Sequence, residues 1–112
     1  MDLRLILTTC ATRDEAERIA RSLVEDRLAA CVNLIPGLTS IYRWQGAIDT
    51  ASETLLLIKT TAGQADQVEA AVRRLHSFEL PEFLVLPVEA ASPLYAAWIM
   101  SSLKGATDSS DP

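Results

Sequence analysis

Two strand–helix–strand halves joined by a long hairpin predict an α+β fold, with helices on one face of an antiparallel sheet. Three observations carry this prediction. LILTT at residues 5–9 is echoed by LIKTT at 57–61. Each run leads into a capping signature and then a helical apolar stripe. Between the halves lies a β-rich stretch, 29–61, interrupted by Gln45-Gly46, where glycine supplies the left-handed backbone of a tight reversal. The resulting order of strand, helix, strand, strand, helix, strand, helix is the ferredoxin-like split βαβ with a C-terminal helix added.

Residues 3–9 read as a central strand, with Leu3, Leu5 and Leu7 on one face and Ile6 on the other. Thr12-Arg13-Asp14-Glu15 fits a capping box, in which Thr12 caps the third amide and Glu15 reaches back. The helix it opens carries Ala16, Ile19, Ala20, Leu23 and Val24 as a one-sided stripe and ends near Asp26 or Arg27. The hairpin arms are 31–44 and 53–60, around Gln45-Gly46 and a short polar segment. Pro36-Gly37 predicts a bend or bulge in the first arm. Leu55, Leu56, Leu57 and Ile58 make the second arm apolar on both faces. Thr61-Ala62-Gly63-Gln64 repeats the capping pattern before a stripe of Ala65, Val68, Val72 and Leu75, and this helix ends near His76. In the last turn an imidazolium is favoured by the helix dipole. Residues 79–82 form a loop and 83–88 a strand that Pro87 confines to an edge. Ser92-Pro93 opens a short helix through Leu94, Ala97 and Trp98. Residues 1–104 are thus a single domain, and 105–112 (GATDSSDP) read as a flexible tail.

Ten Lys and Arg against fifteen Asp and Glu give a net charge of -5 over 112 residues. General attraction to a phosphate backbone is excluded on that balance, and nucleic acid is not an expected partner. No apolar run approaches the roughly 20 residues of a spanning helix, so no membrane is expected either. Cys10 and Cys31 have neither CxxC spacing nor the density of a disulfide scaffold, which predicts free thiols and a cytoplasmic chain. A sheet apolar on both faces, with helices for only one, predicts burial of the open face against other copies. A homo-oligomer follows.

Four stretches carry a resemblance: Ala29-Ala30-Cys31-Val32 with Ile35-Pro36-Gly37; Ser40-Ile41-Tyr42-Arg43-Trp44-Gln45-Gly46; Glu53 with Lys59-Thr60-Thr61; and His76-Ser77-Phe78-Glu79-Leu80-Pro81-Glu82. In this order and spacing they resemble the CutA family of divalent-cation tolerance proteins over almost the whole chain. The resemblance implies a homotrimer knitted by its long hairpins, reversible binding of copper or other divalent cations, and a non-catalytic role in metal tolerance. It also implies metal-linked positions at Cys10, His76 and Glu82. The match is partial: Leu75 stands where some members have a second histidine, Ser77 where proline is usual, Phe78 where tyrosine is usual, and Ala47 where a basic residue is common.

Thiolate, imidazole and carboxylate together suit a late transition metal, while Cys10 and Cys31 also read as small buried hydrophobes. Strand length predicts roughly 20 Å between Cys10 and His76, on opposite ends of the sheet. Either neighbouring subunits bring them together, or there are two weak sites. The same separation, with the lack of a phosphate loop, nucleophile elbow or HExxH, counts against an enzyme. The fold also resembles the PII regulators, trimers that bind small effectors between subunits. On that alternative Tyr42, Trp44, Lys59, Glu79 and Trp98 line the inter-subunit cleft, with Lys59 pairing Glu53, Glu79 or Glu82.

Overall fold

The computed structural model describes residues 2–105, and the predicted order of elements is the observed one. β1 (Leu3–Cys10) is followed by α1 (Arg13–Glu25), β2 (Cys31–Trp44), β3 (Ala47–Thr61), a 3-10 turn (Ala62–Gln64), α2 (Ala65–Leu75), β4 (Leu84–Pro87) and α3 (Pro93–Ser101). The strands pair antiparallel in the order β2-β3-β1-β4. The two strands apolar on both faces, β1 and β3, are therefore central, and Pro87 lies on the edge strand as its missing amide requires. From position 106 on, the tail expected over 105–112 lies outside the described residues.

Thr12 caps α1: its Oγ1 accepts the Glu15 N–H at 3.2 Å. The return bond expected from the Glu15 side chain is not made, because that carboxylate turns inward to Ser77. At the other end Arg27 takes left-handed backbone (φ 58°). The Arg27 and Leu28 amides donate to the Val24 and Leu23 carbonyls at 3.1 and 3.0 Å, the paired bonds of a Schellman cap. The second capping signature is not realised: Thr61 makes no side-chain cap bond, and the chain enters α2 through the 3-10 turn. Short-range bonds there take up the first amides that a cap would otherwise satisfy. α2 ends at Leu75, and His76 has extended backbone (ψ 143°) outside it. The dipole argument for an imidazolium therefore does not apply to this ring.

The hairpin turns on two residues alone, Gln45 (φ 49°) and Gly46 (φ 82°), both left-handed, as a two-residue reversal matching strand twist demands. β3 begins at Ala47 opposite Trp44, so the polar segment expected before residue 53 is itself strand. The register shifts between Ile35 and Leu38, where Gly37 has φ 77°, and this is the bulge that Pro36-Gly37 predicts. Because β1 pairs only with residues 54–61 of β3, the rest of the hairpin projects beyond the sheet and lengthens the molecule to 52 × 26 × 22 Å.

The main core joins Ile6 and Cys10 of β1 and Leu56 and Ile58 of β3 to Ala16, Ile19 and Leu23 of α1 and Val68 and Val72 of α2. Each large aliphatic side chain so buried contributes about 1.5–3 kcal/mol. Their strand neighbours Leu5, Leu7, Leu55 and Leu57 alternate to the opposite face and are half-buried, beside exposed Leu84 and Leu86 of β4. α3 is capped by Ser92 Oγ, which accepts the Tyr95 N–H at 3.3 Å. It packs separately, with Ala96, Ile99 and Leu103 against Leu3, Ala30 and Val88.

Candidate functional site

The sheet topology decides which candidate residues meet. β3 runs antiparallel to β1, with Thr61 opposite Leu3 and Thr54 opposite Cys10. α2 therefore starts beside the beginning of β1 and returns in the direction of β1. The 3-10 turn and α2 together rise roughly 22 Å, matching the roughly 23 Å length of β1, so His76 arrives at Cys10. The Cys10 Sγ and His76 Nε2 atoms are 3.7 Å apart and buried. The large separation expected from the sequence is thus corrected. That expectation left out the reversal of direction that β3 introduces.

Around this pair the polar atoms are held by the chain itself. A backbone amide can only donate, so the Phe78 N–H on His76 Nδ1 at 3.0 Å makes Nδ1 the acceptor. The ring hydrogen is then on Nε2, which donates to the Thr9 carbonyl at 2.7 Å. His76 is a neutral imidazole with both nitrogens engaged, its ring against Phe78 at 4.8 Å between centroids. The buried Glu15 carboxylate accepts the Ser77 N–H at 2.6 Å and the Ser77 hydroxyl at 3.1 Å. It lies 3.8 Å from Nδ1, which carries no proton to share. Burial first, then the Glu15 and Glu53 carboxylates, push the Cys10 thiol up to about 12, with Arg18 partly opposing them. Cys10 is a protonated thiol at neutral pH.

These atoms do not fit a resident metal ion. The imidazole has no free lone pair, and Glu82 is exposed on the following loop with no bond to the pair. Among the described residues no group of three His, Cys, Asp or Glu gathers to hold a cation. What the cluster does is tie three segments together: the end of β1, the first turn of α1 and the chain leaving α2. Glu15 and Ser77 escape a reading of the sequence for ligands. One signal was present, because Glu15 stands four residues before Ile19 and so shares its buried face.

The cleft candidates separate into two regions. Lys59 donates to Tyr95 Oη at 3.4 Å and stands 5.8 Å from the Tyr95 ring centroid. Tyr95 stacks on Trp98 at 5.5 Å and 27°. Lys59 and Trp98 are thus joined through Tyr95, whose i, i+3 spacing to Trp98 was the available signal. The expected pairing of Lys59 with Glu53, Glu79 or Glu82 does not occur within the chain. Tyr42 and Trp44 sit on the projecting hairpin, and Glu79 is exposed on the loop after His76. A groove of about 370 Å³ between α1 and β2 is lined by Ala20, Val24, Val32 and Leu34 together with Glu17, Arg21 and Glu25, of which Glu17 and Arg21 pair with each other.

Comparison with known proteins gives a family. The family model for the CutA1 divalent ion tolerance protein matches residues 4–102. The divalent-cation tolerance protein CutA of Thermus thermophilus is 44% identical over 95 residues, which cover 85% of this chain and 92% of that protein. Human protein CutA is 44% identical over 101 residues, covering 90% of this chain but 56% of the human one. The chain thus spans nearly all of a bacterial relative and just over half of a vertebrate one. Among solved structures, CutA1 from Oryza sativa superposes with a TM-score of 0.92 at 31% identity, over 95% of this chain and 97% of that one.

Proposed function

Because this chain belongs to the CutA1 divalent ion tolerance family, we propose that it acts in the cytoplasm as a non-catalytic homotrimer contributing to tolerance of divalent cations, copper among them. The observation that carries the trimer is the open face of the sheet. Leu5, Leu7, Leu55 and Leu57 are covered by neither α1 nor α2, and beyond the sheet the projecting hairpin leaves Ile41 (71% exposed), Trp44 and Ile48 open as well. The absence of catalysis is supported by the state of Cys10 and His76: a protonated thiol and an imidazole with no free nitrogen make neither a nucleophile nor a base. Cation binding is on this reading reversible and lies outside the Cys10–His76 pair, at exposed oxygen donors such as Glu82. A second reading, a PII-like regulator binding a small effector between subunits, is favoured by the exposed Tyr95–Trp98 stack beside Lys59.

Light scattering and calorimetric titration of the reduced protein with Cu(II) test the proposal. The expected molar mass is three times the 12.2 kDa of the chain. Saturable binding is expected in the wild type, with unchanged stoichiometry in His76→Ala and Cys10→Ser and reduced binding in Glu82→Gln. Loss of binding in His76→Ala, at native molar mass, would return the cation to the buried pair. A thermal shift produced by a nucleotide or metabolite without metal, and none by any divalent cation, would favour the effector reading.

A further inference from the structure

Resting on the trimer reading, we propose that Lys59 of each subunit is paired by a carboxylate from the loop after α2, Glu79 or Glu82, of a neighbouring copy. In a chain of net charge -5, Lys59 is half-buried and has no carboxylate within ion-pair distance among the described residues. Among the described residues the only polar contact of its ammonium is a phenol at 3.4 Å. It lies between Cys31 and Leu5 on the open face, so an apolar surface laid over that face would bury the ammonium. An ammonium buried without a counter-charge is strongly disfavoured. The surface that covers this face therefore brings an anion.

The loop after α2 has the complementary character. Glu79 and Glu82 have no cation partner among the described residues and stand among exposed apolar side chains, Phe78, Leu80 (80%) and Leu84 (54%). The sheet register keeps the two halves apart within one subunit. Lys59 is level with Leu86, whereas the loop enters above Leu84 and two strands away. At about 3.3 Å per residue and 4.8 Å per strand, the gap to Glu82 is on the order of 15 Å. A cation in an aromatic and apolar setting at one place, and carboxylates in an apolar setting at another, make a head-to-tail contact. Such a contact closes a ring when its rotation permits.

Two measurements test the pairing. Subunit exchange between light and isotopically heavy oligomers is followed by native mass spectrometry for Lys59→Met, Glu79→Gln, Glu82→Gln and the doubles. Lys59→Met is expected to exchange at least about tenfold faster. At least one of the glutamine variants is expected to match it, with no further acceleration in the corresponding double. Independently, Lys59→Cys with Glu79→Cys or Glu82→Cys, on a Cys31→Ser background, is expected to oxidise to a cross-link between chains. Additive effects in both doubles, wild-type exchange in Lys59→Met, a cross-link within one chain, or no cross-link would overturn the pairing while a trimeric mass left the assembly standing. A monomeric mass in the wild type would overturn both.

Discussion

At the Cys10 end of the sheet a carboxylate, an imidazole and a thiol are buried with partners from their own chain. On the open face Lys59 is half-buried beside a phenol, amid leucines that neither α1 nor α2 covers. At the first region the Ser77, Phe78 and His76 hydrogens have acceptors within the subunit: Ser77 on Glu15, Phe78 on His76, His76 on Thr9. At the second, apolar area and charge are both left open. The difference separates what one chain completes from what it leaves open. It also explains why residues that suggest metal chemistry are structural here: burying them together makes a network whose atoms are already spoken for.

The comparison breaks most visibly in the core. Leu56→Ala, on the helix-covered face, is expected to cost about 2–5 kcal/mol. Leu57→Ala, one residue on and facing the open side, costs the subunit about 1 kcal/mol and acts on association instead. Guanidinium unfolding at several subunit concentrations checks this, and equal losses would erase the distinction between the faces. His76→Ala leaves the Phe78 amide and the Thr9 carbonyl without partners, at a cost of about 2–4 kcal/mol. Hydrogen exchange at Phe78 should accelerate with it; unaltered protection would mean that the ring is not the tie. Gly46→Ala forces a side chain into left-handed backbone at φ 82° and costs about 1 kcal/mol, read as a shift in unfolding midpoint.

An effect confined to alkaline pH sharpens the view of Cys10. Its folded thiol is raised from 9.0 to about 12, so the unfolded chain loses this proton first. The contribution to stability is complete below pH 9 and is lost as pH rises from there toward about 12. Relative to Cys10→Ala, the wild type should lose stability over that window, and native Cys10 should resist alkylation at pH 8. A flat difference across the window would show a thiol in contact with water.

Much of this was legible in the sequence because short-range signals dominate it. The two stripes, short of their exposed last members Val24 and Leu75, the Gln45-Gly46 reversal, the bulge at Pro36-Gly37, the edge position of Pro87 and the cap at Ser92 all depend on neighbours a few positions apart. The cluster at Cys10 was not legible, since it depends on counting reversals through β3 and on matching the rise of a helix to the length of a strand. Glu15 shows the limit at the smallest scale. Its position completes a capping box on paper, yet the amide and hydroxyl of Ser77 take the same oxygens.

The two-residue turn carries a kinetic consequence. The hairpin arms meet across two residues, whereas β1 meets β3 across 44 to 58 positions of chain. The entropy of closing so long a loop delays the central pairing, while a hairpin zips within about 1–10 μs. The arm bearing Ile41, Trp44 and Ile48 is thus formed before the layer beneath α1 and α2 exists. During that interval the nascent chain already displays these exposed apolar side chains, so on the proposed trimer reading folding and assembly compete at high concentration and must be ordered in time.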